Sequence, residues 1–138
     1  MPQSKRIGGG GGACAIYIKD KNLTILGVHL GIKEELSKEE IDEISNFLKN
    51  QENKGRKILL MGDFNRVEKS MDKYPEFKEL NLTGTNRRGT YPNIEEIKLI
   101  DFKAIDNIFH DRSIVREKSC IVEGYSNHLL VWADLKVD

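Results

Sequence analysis

The 138-residue sequence has little that would mark a secreted, membrane-bound or broadly nucleic-acid-coating protein. Its two cysteines, Cys14 and Cys120, are isolated and lack metal-ligand spacing, so they read as free thiols in a reducing compartment. No apolar run approaches the roughly 18 residues needed for a membrane span, and the amino terminus has no apolar signal core. Neither charge sign dominates: Lys+Arg 22 balance Asp+Glu 22. This argues against a broad polyanion-binding coat, which would show as a basic excess. Internal repeats and second-domain linkers are also missing. The expectation is one cytoplasmic domain large enough to bury a core.

Residues 1–12 are polar and end in five consecutive glycines. Ordering such a run costs the most backbone entropy, so a flexible leader is expected there, with the domain proper spanning 13–138. Ala13–Ile18 and Leu23–Leu30 read as strands joined by a turn at Lys19–Asn22. Ser37 followed by Glu40 has the form of a capping box. Ile41, Ile44, Phe47 and Leu48 then make one helical stripe that closes at Asn53-Lys54-Gly55. Lys57–Met61 is continuously apolar, as in a strand buried on both faces. A short helix over Asp72–Leu82, a polar loop over Thr83–Ile97 and strands over Ala104–Phe109, Ser113–Val122 and Leu129–Leu135 follow. The sum is an α/β protein with about six strands and two helices.

Polar residues gather where these strands end. Lys57–Met61 runs into Gly62-Asp63-Phe64-Asn65, which is either a simple turn or a carboxylate and a carboxamide presented at a sheet rim, where α/β sites form. His29 closes another strand, and His128 precedes the last; alone, each reads as a structural histidine. Asp106 lies in an apolar strand, where a carboxylate is costly unless it is paired or reaches the rim. Orienting a histidine is one way to satisfy it.

The order His29-Leu30, Gly62-Asp63-Phe64-Asn65, Thr90-Tyr91-Pro92, Ile105-Asp106-Asn107-Ile108-Phe109, Ser126-Asn127-His128 resembles the endonuclease/exonuclease/phosphatase family. That family includes DNase I-like nucleases, abasic-site endonucleases, sphingomyelinases and inositol polyphosphate 5-phosphatases. The match extends over Ala13–Leu135, and Gly-Asp-Phe-Asn after an apolar strand is its most specific part. The resemblance implies part of a DNase I-like four-layer α/β sandwich. It also implies a metal-dependent phosphoesterase that uses Mg²⁺ or Mn²⁺ on phosphodiester or phosphomonoester bonds. By the same resemblance, His128 is the base or electrostatic stabiliser, held in its tautomer by Asp106. Asp63 orients the attacking water or protonates the leaving group, Asn65 donates to the phosphate, and His29 serves as donor or acid.

Arg87, Arg88 and Tyr91, on the polar loop, are candidate substrate contacts. Neutral charge favours a small phosphorylated ligand or a short stretch of nucleic acid over long duplex. Two departures stand out. Asn127 occupies the place of a metal-holding aspartate in the family's closing motif, and an uncharged amide oxygen ligates a hard cation more weakly. The family's opening asparagine and glutamate, the latter its principal metal ligand, find no match before Gly12. Glu34, Glu35, Glu39 and Glu40 are poorly placed to replace them. The expectation is therefore a carboxy-terminal half. Its uncovered sheet edge would invite self-association or an amino-terminal half as partner, and the alternative to an enzyme is a catalytically impaired phosphate-binding or protein-interaction module.

Overall fold

The computed structural model describes residues 3–5, 11–66, 71, 74–86, 89–90, 105–123 and 126–138. Strands β1 (Gln3–Lys5), β2 (Gly12–Ile18), β3 (Leu23–His29), β4 (Lys57–Asp63), β5 (Thr83–Gly84) and β6 (Asp106–His110) form a sheet in the order β1-β2-β3-β4-β6-β5. Strands β7 (Val115–Val122) and β8 (Leu130–Lys136) pair antiparallel in a second, two-stranded sheet. Helix α1 (Glu34–Asn53) is the crossover between the parallel pair β3 and β4, which places it against one face of the larger sheet. A five-residue helix, α2 (Pro75–Glu79), packs beside α1.

The main core forms on the helix face. Leu26, Val28, Ile58, Leu60 and Phe109 from the sheet meet Ile41, Ile44 and Leu48 of α1 and Phe77 of α2. Phe109 sits edge-on to both Phe64 and Phe77, at centroid separations of 5.1 and 5.6 Å. The expected stripe on α1 holds, with Phe47 at its exposed margin. On the opposite face, Leu23 and Leu59 pack with Ile114, Leu135 and Val137, so the β7–β8 hairpin lies over the β3–β4–β6 part of that face. Toward β2 the face is uncovered: Ile16 is 50% exposed and Ile18 37%. No strand among the described residues pairs with the outer edge of β8.

Several local expectations change. Helix α1 starts at Glu34 with Lys33 at its N-cap, so Ser37 lies inside the helix and is not its N-cap. Glu40 is buried instead and accepts a hydrogen bond from the Gly31 N–H at 2.8 Å, a long-range contact that local capping grammar does not foresee. The stop at Gly55 is as read: its φ of +69° suits glycine, and its N–H reaches the Glu52 carbonyl. Of the expected helix Asp72–Leu82, residues 72–73 lie outside the described residues; Pro75 sets the first turn of the helix at Pro75–Glu79, and Asn81 leaves helical geometry at φ 55°. Among the described residues, eight strands replace about six. The additions β1 and β5, of three and two residues, are too short for periodicity to reveal. Thus Gln3–Lys5, inside the expected leader, pairs with β2, while residues 6–10 lie outside the described residues.

Candidate active site

The site lies at the end of the larger sheet where β3, β4 and β6 place His29, Asp63 and Asp106 side by side in register. These residues face away from α1, toward the hairpin, by the alternation of each strand. β4 runs straight through Gly62 to Asp63, so the motif is first a strand end and only then a turn. Gly62 has φ +143°, and a β-carbon there would lie 1.8 Å from the Val28 carbonyl oxygen. Glycine is thus what lets β4 reach the rim beside β3. The chain then turns at Asn65, which has φ 47°. The Asn65 N–H donates to Asp63 Oδ1 at 2.8 Å, and its amide nitrogen donates to the Leu30 carbonyl at 2.6 Å.

His128 reaches the same rim from the start of β8. Its Nδ1 lies 2.7 Å from Asp106 Oδ2. An ionised carboxylate can only accept, so Nδ1 carries the proton and Nε2 carries the lone pair. Nε2 is 4.0 Å from Asp63 Oδ2, and His29 Nε2 is 3.8 Å from the same oxygen. Both gaps are too long for a direct hydrogen bond and suit a bridging oxygen of water or substrate.

Burial raises the Asp63 pKa above its ordinary value of 3.8, and the nearby Asp106 charge adds to this; the Asn65 N–H, His128 and His29 pull the other way. A carboxyl whose pKa is pushed up beside a histidine is the pattern by which two groups divide acid and base work. It also carries a stability consequence. With its folded-state pKa raised, Asp63 favours folding most below the unfolded value, and that contribution is lost as pH rises through the folded value. Asp63→Asn should therefore melt at a higher temperature than the parent at pH 7, and the difference should close by about pH 4 in thermal denaturation.

Two supporting residues were missed as such. Asn107 Oδ1 accepts the N–H groups of Thr85, Asn86 and Ile108, fixing the loop entrance against β6. Thr90 is fully buried; its hydroxyl accepts from the Asp106 N–H and its carbonyl accepts from the Leu129 N–H, tying the two site segments together. The Thr90-Tyr91-Pro92 motif pointed to this place, though through Tyr91. Tyr91, Arg87 and Arg88 lie outside the described residues. Asn127 is exposed, with its Oδ1 3.5 Å from the Ser126 hydroxyl.

Potential ligand atoms of Asp63, Asp106 and His128 all lie within 4.8 Å of one another. Two carboxylates crowded against each other, one of them desolvated, suit a hard divalent cation that prefers oxygen ligands. They would supply only part of its usual shell of six or more.

An α/β sheet of this order, with a hairpin across one face and an Asp–His pair and a second aspartate at its rim, is the architecture of the DNase I-like, endonuclease/exonuclease/phosphatase fold, and the chain has that fold. Solved structures show the likeness directly. An endonuclease/exonuclease/phosphatase family protein from Bacteroides thetaiotaomicron superposes at TM-score 0.67 with 18% identity, covering 93% of this chain and 56% of its own. The mannosyl-6-phosphatase of the same organism gives 0.65 and 18%, covering 91% and 56%. The human nocturnin catalytic domain with bound sulfate gives 0.70 and 14%, covering 100% and 59%. The chain thus spans little more than half the length of these proteins. No protein-family model and no curated protein sequence matches it.

Proposed function

We propose that this chain is a phosphoric-ester hydrolase of the endonuclease/exonuclease/phosphatase type, acting on phosphodiester or phosphomonoester bonds with Mg²⁺ or Mn²⁺. The observation that carries the reading is the rim geometry: one aspartate oxygen flanked by two histidine Nε2 atoms at 3.8 and 4.0 Å, with one histidine locked by a second aspartate at 2.7 Å. A water between His128 Nε2 and Asp63 is placed to lose a proton to the imidazole as its oxygen attacks phosphorus. Asp106 keeps the ring oriented and stabilises the imidazolium. Asp63 and His29 stand where a leaving oxygen gains a proton. Asn65 borders the same space, and its amide is the donor proposed for a non-bridging phosphate oxygen.

Asp63 and Asp106 are the groups that would hold a divalent cation, with Asn127 adjoining His128 in sequence. When bound, it would supply Lewis-acid polarisation of the phosphoryl oxygen. Substrates that fit are a small phosphate ester or a short stretch of nucleic acid. The test is turnover of bis(p-nitrophenyl) phosphate with Mg²⁺ titrated in. Asn127→Asp should strengthen the apparent Mg²⁺ affinity and raise the rate, because a charge-bearing ligand replaces a neutral one. Equal Mg²⁺ dependence in both proteins would count against the metal assignment.

A second reading, a phosphate-binding or protein-interaction module, is favoured by Asn127 and by the uncovered apolar face of β2. That face would bring the chain to itself or to a polypeptide carrying the family's opening segments. Gel filtration of the purified chain should then show a species larger than the monomer. A monomer with one sharp melting transition would argue against that association.

A further inference from the structure

A second cleft, of about 770 Å³, opens between the β5–β6 edge of the larger sheet and β7 of the hairpin. A register shift governs its chemistry. In β7, Ser119 and Ile121 lie opposite Ala133 and Val131, whereas Lys118 and Cys120 lie opposite Asp134 and Trp132 on the other face. Strict alternation would put Arg116 with Lys118 and Cys120. A bulge between Arg116 and Lys118 shifts the phase by one residue, so Arg116 lies opposite Leu135, on the same face as Ser119 and Ile121. Lys118, by contrast, sits over the Trp132 ring on the outer face. The irregularity turns a cation into the cleft.

The surrounding groups are polar and underused. Arg116 Nη1 lies 3.4 Å from both the Thr85 carbonyl and Ser119 Oγ, contacts at the long limit that leave most of its five donors without a protein acceptor among the described residues. Thr85 is 8% exposed, and its Oγ1 has no hydrogen-bond partner among the described residues. Leaving a buried hydroxyl unmatched costs free energy unless a ligand or water meets it. His110, 7% exposed, gives its Nδ1–H to the Asp111 carbonyl, so Nε2 carries the lone pair. No aspartate or glutamate lines the cleft among the described residues.

We infer that this cleft is an anion site for a phosphate-type oxyanion, held by Arg116 and Thr85 as donors, with His110 Nε2 accepting the ligand's P–OH. Donors that converge from β7 and from the residue after β5, with an acceptor on β6, fit a tetrahedral anion better than a planar carboxylate, which Arg alone could grip in one plane. The site is separate from the rim: Asp106 and His110 are four residues apart on one face of β6, about 13 Å. It does not rest on the hydrolase reading, and it would hold a second phosphate whether or not the rim turns over an ester.

The test is titration of the full chain with inorganic phosphate, followed by amide chemical shifts. Saturable shifts should appear at Thr85, His110 and Arg116, apart from any at Asp63 and His128. Arg116→Gln, an exposed change that leaves the fold intact, should weaken the first set roughly tenfold. Thr85→Val should weaken it less, and His128→Ala should leave it unchanged. Acetate should bind these residues more weakly than phosphate. Shifts confined to the Asp63–His128 rim, or identical titration of parent and Arg116→Gln, would overturn the assignment. Equal affinity for acetate would overturn its tetrahedral selectivity.

Discussion

Replacing His128 by alanine should lower turnover of a phosphodiester by roughly 10²–10⁴-fold with little change in fold. The side chain is partly exposed, and the hydrogen bonds that secure its segment come from the backbone, from the His128 N–H to Ser126 Oγ and from the Leu129 N–H to Thr90. The loss should fall on kcat, because the imidazole acts on the proton of the attacking water and not on ground-state binding. Asp106→Asn should also be damaging. An amide can donate to Nδ1, which would move the ring proton to Nε2 and remove the lone pair facing Asp63. Since the two residues act through one imidazole, the double variant should be no worse than about the more damaging single change. Additive losses in steady-state assays would show that Asp106 has a separate role.

The second large effect concerns stability. Gly62→Ala should cost roughly 3 kcal/mol or more in urea denaturation. The added β-carbon would sit 1.8 Å from the Val28 carbonyl oxygen, an atom of the neighbouring strand that cannot rotate away. The backbone at φ +143° is also a region that L side chains rarely adopt. Relief would require β3 and β4 to separate where His29 and Asp63 lie opposite each other. Any folded remnant should therefore lose the site geometry as well. Gly55→Ala, at an open position, should cost far less, about 1 kcal/mol.

How much of this was legible follows from the range of each signal. Lys57–Met61 announced a buried strand by its unbroken apolar run, and Gly62-Asp63-Phe64-Asn65 announced its rim by residue type. The cost of a lone carboxylate in an apolar strand pointed Asp106 to a histidine, the family resemblance named His128, and the structure places the two 2.7 Å apart. Glu40 was misread because the grammar of a capping box is local, whereas its partner Gly31 comes from the loop preceding the helix. Arg116 escaped notice because period-two alternation assigns it to the outer face, and a one-residue bulge reverses that without a mark in composition. Asn107 carries no mark in the sequence; two of its three accepted N–H bonds, from Thr85 and Asn86, exist only once β5 folds beside β6.

The central claim is that the rim hydrolyses phosphate esters through His128. Its most direct test is phosphorus NMR of a generic phosphodiester incubated with the chain and Mg²⁺, alongside the His128→Ala protein. The account predicts a phosphomonoester product that accumulates with the parent, requires the cation, and is lost with His128→Ala. Equal product from both proteins, or none from the parent and from Asn127→Asp alike, would contradict it.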